Sequence, residues 1–207
     1  VYLYATNDMQ QFEFSKGKIE NNYGKISSLN VFSSKDLVNW TNHGEIQVAG
    51  KSNPQAAARW ANNSWAPAVA WKNINGKDKF FLYFADNGSG IGVLVGESPT
   101  GPFVDPLKKQ LISRQTPKCA DVNWLFDPAV FVDDDGRAYI YFGGGHNPDN
   151  AANPKTARCV ELGDDMISIK DEPQVMDPPF LFEDSGIHKY KDTYYYIAQY
   201  ILDHLNE

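Results

Sequence analysis

Short runs of aromatic and β-branched residues recur along this chain, and their spacing restricts the fold more than any other feature. The runs are Val1-Tyr-Leu-Tyr4, Lys79-Phe-Phe-Leu-Tyr-Phe84, Arg137-Ala-Tyr-Ile-Tyr-Phe142 and Thr193-Tyr-Tyr-Tyr-Ile197, each bounded by turn-forming residues. Residues of this kind favour a pleated, half-buried strand. The last three runs begin at residues 79, 137 and 193, which are 58 and 56 residues apart, whereas 78 residues separate the first from the second. A period of that length accommodates a four-stranded sheet with its loops, the repeating unit of a β-propeller, and the longer first gap predicts an insertion.

Three of the runs follow a second apolar run and a turn, and these pairs predict β-hairpins. They are Pro67-Ala-Val-Ala-Trp71 with Asn75-Gly76, Ala129-Val-Phe-Val132 with Asp133-Asp-Asp-Gly136, and Ile187-His-Lys-Tyr190 with Lys191-Asp192. Gly92-Val-Leu-Val-Gly96 and Val31-Phe-Ser-Ser34, each followed by turn residues, fit the outer strands of such units. The fold class is therefore all-β, an incomplete propeller of three to three and a half blades, with residues 1–207 forming one partial domain. An open arc leaves apolar faces between blades uncovered, so the sequence reads as truncated at both ends. The last residues, 201–207, look more helical than strand-like.

Charge narrows the partners. A formal net charge of -7 and a pI near 5.1 argue against nucleic acid or an anionic membrane, either of which calls for a basic patch. A neutral sugar suits this surface better. No run of about 18 apolar residues offers a membrane span. The sequence opens on a strand-like run, so a signal peptide would lie upstream, and localisation, secreted or cytoplasmic, stays open. Cys119 and Cys159 either pair or stay free, since no Cys/His spacing marks a metal or redox site.

Two carboxylates stand out. Asp127 lies in Asn123-Trp-Leu-Phe-Asp-Pro-Ala-Val-Phe131, among apolar residues at the start of an inner strand, where Pro128 biases it away from helix. Asp-Pro is also a common turn signal. Glu183 follows Phe180-Leu-Phe182 and holds the same place before its own hairpin. Apolar surroundings raise a carboxyl pKa, which suits a general acid working near neutrality. Its neighbour Asp184 is a rival, and pleat alternation allows only one of the two to face the axis. Trp65 and Trp124 are candidate platforms for sugar rings or, alternatively, core residues. Asp133-Asp-Asp-Gly136 reads as a hairpin turn, because it lacks the ligand spacing of a calcium loop. His146, in Gly143-Gly-Gly-His-Asn147, either reaches the axis from its loop or is solvated, and His188, in the hairpin after Glu183, either packs or binds.

Ser64-Trp-Ala-Pro67, Phe126-Asp-Pro-Ala-Val-Phe-Val-Asp-Asp-Asp-Gly136 and Phe182-Glu-Asp-Ser-Gly-Ile-His-Lys-Tyr190, in this order and spacing, resemble glycoside hydrolase family 43. The likeness is strongest to its arabinofuranosidase and arabinoxylan arabinofuranohydrolase members. The resemblance implies a five-bladed propeller that hydrolyses terminal α-L-arabinofuranosyl links with inversion, acting on arabinose-substituted xylan or arabino-oligosaccharides. It assigns Glu183 as general acid, Asp127 as the Asp that tunes and orients it, and Trp65 and Trp124 to the arabinose pocket. The family's general base lies before the strand that begins at Val1, outside this sequence, and Asp8 does not inherit the role. No cofactor is required, although the complete propeller has room for a calcium ion. The alternatives are a β-xylosidase or dual xylosidase/arabinofuranosidase and, from another class, a noncatalytic sugar-binding propeller.

Overall fold

A computed structural model describes residues 1–16, 23–145 and 147–200, so both the 201–207 segment and His146 lie outside the described residues. Strands β1 (Tyr2–Thr6), β2 (Ser28–Ser33) and β3 (Thr41–Gln47) form the first sheet, with the short helix α1 (Met9–Phe14) between β1 and β2. This helix and the segment leading to Trp65 occupy the long first gap. The second sheet follows the order β4 (Trp65–Ile74), β5 (Lys77–Ala85), β6 (Gly90–Gly96) and β7 (Phe103–Val104), and β8 (Ile112–Ser113) also pairs with β6. The third comprises β9 (Ala129–Val132), β10 (Ala138–Gly143), β11 (Ala157–Glu161) and β12 (Gln174–Met176), and the fourth is the hairpin β13 (Leu181–Tyr190) and β14 (Thr193–Tyr200). All named pairings are antiparallel.

The turn chemistry explains the three hairpins. Asn75 and Gly76 both take left-handed φ values, 53° and 79°, which match the two-residue turn whose twist suits flanking strands. The Asp133-to-Gly136 turn is closed by Gly136 N–H donating to the Asp133 carbonyl at 2.9 Å and Asp133 N–H donating to that of Arg137 at 2.8 Å. Lys191 and Asp192 connect Tyr190 directly to its cross-strand partner Thr193.

Strand alternation on β5 builds the core. Phe81 and Tyr83 face the third sheet in one buried cluster with Ile140, Phe142 and Val160. Leu82 and Phe84 face the first sheet in another, with Leu29, Val48 and Leu94. One central strand thus supplies apolar side chains to two cores, and the sheets stack in sequence order. The first strands of the sheets also lie side by side, β4 against β1 and β9, and β9 against β13. The described residues do not close a ring. Tyr194, Tyr195, Ile197 and Tyr200 on the last strand remain exposed, as an open arc requires.

A polar clasp joins the third and fourth sheets. Lys189 pairs with Asp133 and, at 2.9 Å, with Asp134, while the Tyr194 hydroxyl donates to Asp133 and its ring meets Phe131 edge-on. The carboxylate run that sequence reading assigned to a turn is a turn, and its first member also anchors the next sheet. Both cysteines are free thiols, Cys119 buried and Cys159 half-buried.

Candidate functional site

The side-by-side first strands bring their starts together, and each start uses the same backbone device. Ala66, Asp127 and Asp184 all have positive φ, at 41°, 48° and 62°. This region costs an ordinary L-residue roughly 1–2 kcal/mol. Pairing runs from Trp65–Ala85 to Ala68–Tyr83 in the second sheet, and from Glu183–Gln199 to Gly186–Ile197 in the fourth. Two residues therefore face one on each hairpin, at Ala66-Pro67 and at Asp184-Ser185, which makes both β-bulges. Asp127-Pro128 holds the same position ahead of β9. Structurally, then, Asp184 rather than Glu183 is the counterpart of Asp127, while Glu183 corresponds to Phe126 and Trp65.

These six residues, Ala66, Pro67, Asp127, Pro128, Asp184 and Ser185, line a cavity of about 220 Å³. Asp127 is 8% exposed, and its Oδ2 accepts the Asp184 backbone N–H at 3.0 Å. Burial pushes its carboxyl up to about 7, the Asp184 N–H draws it partly back, and the charges of Asp184 and Glu183 add to the rise. Glu183 is half-buried, and its pKa is also raised, by burial first and the Asp184 charge second. Pleat alternation predicts that only one of Glu183 and Asp184 serves the axis. Asp184 lines the cavity and Glu183 does not, while the charges of both add to the rise in the Asp127 pKa.

The aromatic candidates frame this cavity without lining it. Trp65 immediately precedes Ala66; its indole N–H donates to the Tyr23 carbonyl at 3.1 Å, and Tyr23 meets it edge-on at 6.1 Å. Asp86, buried after β5, accepts the backbone N–H groups of Asn62 and Asn63 at 2.8 and 3.0 Å and so fixes the approach to Trp65. Trp124 is 39% exposed and packs edge-on against Phe126 at 5.3 Å and Phe182 at 5.4 Å, the residues before Asp127 and Glu183. The Arg114 guanidinium holds its loop by donating to the carbonyls of Gly88, at 3.2 Å, and Asn123, at 2.9 Å.

Sequence reading passed over Gly143-Gly144-Gly145 except as a setting for His146. Gly145 N–H donates to the Phe182 carbonyl at 2.7 Å. A Cβ on Gly144 would stand 2.4 Å from the same oxygen and 3.4 Å from Glu183 Cα. The run lets the Glu183 strand approach β10 at backbone distance; its signal in the sequence is three glycines directly after a strand. His188 is exposed on β13. Among the described residues, no group of three or more His, Cys, Asp and Glu could hold a metal ion, and no helix is long and apolar enough to cross a membrane.

The family model for glycosyl hydrolases family 43 matches residues 2–199. An arabinoxylan arabinofuranohydrolase of Paenibacillus polymyxa is 52% identical over 203 residues, covering 95% of this chain and 32% of that protein. Its namesake from Bacillus subtilis (strain 168) is also 52% identical, over 206 residues, covering 95% of this chain and 40% of that protein. The crystal structure of a family 43 arabinoxylan arabinofuranohydrolase from Bacillus subtilis in complex with cellotetraose superposes with a TM-score of 0.87 at 51% identity, over 94% of this chain and 42% of that one. The chain thus spans about a third to two-fifths of these relatives' length.

Two outcomes follow from the site's geometry. Gly144→Ala forces the Glu183 strand away from β10 and is expected to destabilise the fold by about 1–3 kcal/mol in urea unfolding, as overpacking does. Asp127 binds its proton more tightly folded than unfolded, so its contribution favours folding at low pH and is lost as pH rises from about 4 to about 7. Asp127→Asn keeps an acceptor for the Asp184 N–H and removes that loss. Above pH 7 the variant is expected to be the more stable, by on the order of 2–4 kcal/mol, with the difference vanishing below pH 4. Thermal unfolding across pH 4–8 measures it.

Proposed function

The chain belongs to glycosyl hydrolases family 43, and from that premise we propose that it carries the acid side of an inverting glycosidase that removes terminal α-L-arabinofuranosyl units from arabinoxylan. The observation that carries the reading is the cavity at the strand starts, where Asp127 and Asp184 line the wall and Glu183 stands beside them. The arabinoxylan arabinofuranohydrolases named above supply the substrate class. The four sheets are read as successive blades of a five-bladed propeller, about three and a half of which lie in residues 1–207, within one catalytic domain.

Inversion needs an acid and a base on opposite faces of the sugar, with carboxyl groups about 6.5–9.5 Å apart to admit water. Glu183 is the acid. Burial and the charge of Asp184 hold its proton above the usual carboxyl range, so it can be given to the departing glycosidic oxygen. Asp127 is the tuning group. Held through the Asp184 N–H, it positions the bulge that carries Asp184, whose charge raises the Glu183 pKa. On the family resemblance, the base that activates water belongs to sequence before Val1. Trp65 and Trp124, fixed by Tyr23 and by Phe126 and Phe182, offer faces to the apolar side of the sugar ring. Calcium has no donor set among the described residues, and no step runs through it.

Release of L-arabinose from wheat arabinoxylan by the full-length protein tests this reading. Glu183→Gln is expected to lower the rate about 100- to 10,000-fold, and residues 1–207 alone are expected to show a loss in the same range for want of the base. Unchanged release by Glu183→Gln would refute the assignment, and sugar binding without release by the wild type would favour a noncatalytic propeller. Asp184→Asn removes a negative charge that raises the Glu183 pKa, so the alkaline limb of the pH–rate profile is expected to move to lower pH. A limb that stays in place would show that this charge does not act on the acid.

A further inference from the structure

The three strand starts share a backbone and differ in chemistry at one matched pair of positions. The second residue of the device is Pro67, Pro128 or Ser185. Two residues further along each inner strand, the cross-strand partner is Leu82 opposite Val69, Ile140 opposite Val130, and Tyr196 opposite Ile187. Leu82 and Ile140 are wholly buried core residues. Two of the starts thus combine a proline with an aliphatic residue, and the third replaces both by hydroxyls. Those hydroxyls meet, Ser185 Oγ and Tyr196 Oη standing 2.8 Å apart.

Packing alone gives no reason for this exchange. Proline fixes the chain at the other two starts, and a half-buried phenol requires a hydrogen-bond partner that leucine does not. Ser185 has one donor and two acceptor sites, and the bond to Tyr196 uses only one of the three. Ser185 also lines the cavity, where Ala66, Pro67 and Pro128 offer no side-chain donor and Asp127 and Asp184 offer carboxyls. The phenol is held from below by the Tyr141 ring, 6.0 Å away. Burial first, with the Asp127 charge among the smaller causes, raises its pKa, so the phenol stays neutral and keeps its proton.

We propose that the Ser185 hydroxyl is a substrate contact of this cavity, hydrogen-bonding a hydroxyl of the bound glycosyl unit, and that Tyr196 is the positioning residue that sets its orientation. The proposal rests on the glycosidase reading above. It makes this start of the cavity the neutral sugar-recognising wall beside the acid, with the bulge aiming Ser185 inward.

The test measures kcat and KM on 4-nitrophenyl α-L-arabinofuranoside with the full-length protein as wild type, Ser185→Ala, Ser185→Thr, Tyr196→Phe and the Ser185→Ala/Tyr196→Phe double variant. Ser185→Ala is expected to lower kcat/KM roughly tenfold, as loss of one such hydrogen bond does, and Tyr196→Phe about three- to fivefold. The double variant should be no worse than Ser185→Ala, because Tyr196 acts through Ser185, and Ser185→Thr should stay within about threefold of wild type. Losses that multiply in the double variant, or a Ser185→Ala enzyme within twofold of wild type while Glu183→Gln is inactive, would overturn it. A wild type that cleaves no arabinofuranoside sinks the glycosidase reading by itself. Calorimetric binding of an arabinoxylo-oligosaccharide then decides Ser185: a dissociation constant about tenfold weaker in Ser185→Ala supports the contact, and unchanged or absent binding refutes it.

Discussion

Side chains on a pleated strand alternate between two faces, and a site built only from regular strands could present no two neighbouring residues to one cavity. The starts of β4, β9 and β13 escape this limit through a single left-handed residue, Ala66, Asp127 or Asp184, followed by a residue that re-enters the pleat. Everything chemical about the cavity depends on that device. It turns Asp184 and Ser185 together toward the cavity, brings the Asp184 N–H onto Asp127, and leaves Glu183 within electrostatic reach of both. The backbone cost is offset by packing between the sheets, with β5 feeding two buried clusters.

The two ends of β9 show how surroundings assign different tasks to one residue type. Asp127, before the strand, is buried beside two other carboxylates, and its pKa climbs to about 7. Asp133, after the strand, accepts from the Lys189 ammonium and the Tyr194 hydroxyl, and its pKa falls to about 2. One aspartate is kept protonatable near neutrality and the other is kept ionised. Both interactions run from the third sheet to the fourth, so the contacts that fasten the Glu183 hairpin in place belong to the same interface that raises the Asp127 pKa.

The glycine run at 143–145 and the pair Ser185/Tyr196 extend this picture to positions with no charge. Gly144 permits β13 to approach β10 at backbone distance, which places Glu183. Ser185 and Tyr196 substitute a hydroxyl pair for the proline and aliphatic residue of the other two starts, at a point where Ser185 is the only hydroxyl side chain among the residues lining the cavity.

The all-β class, the three hairpins with their turns, and the two carboxylates in their apolar settings are legible in the residue pattern, because period-two patterning and turn residues act over a few positions and leave their mark locally. Asn75-Gly76 and Asp133-to-Gly136 are legible for that reason. Only the assembled sheets show that Asp184 is the backbone counterpart of Asp127, that Asp184 rather than Glu183 lines the cavity, and that Asp133 anchors Lys189. A bulge is a shift of register between two strands, visible only once Glu183 is seen opposite Gln199 and Gly186 opposite Ile197. Asp127 likewise shares its cavity with Ala66, Pro67, Asp184 and Ser185, each more than fifty positions away, and the Asp184 N–H that draws its raised pKa partly back is a partner no local pattern could name.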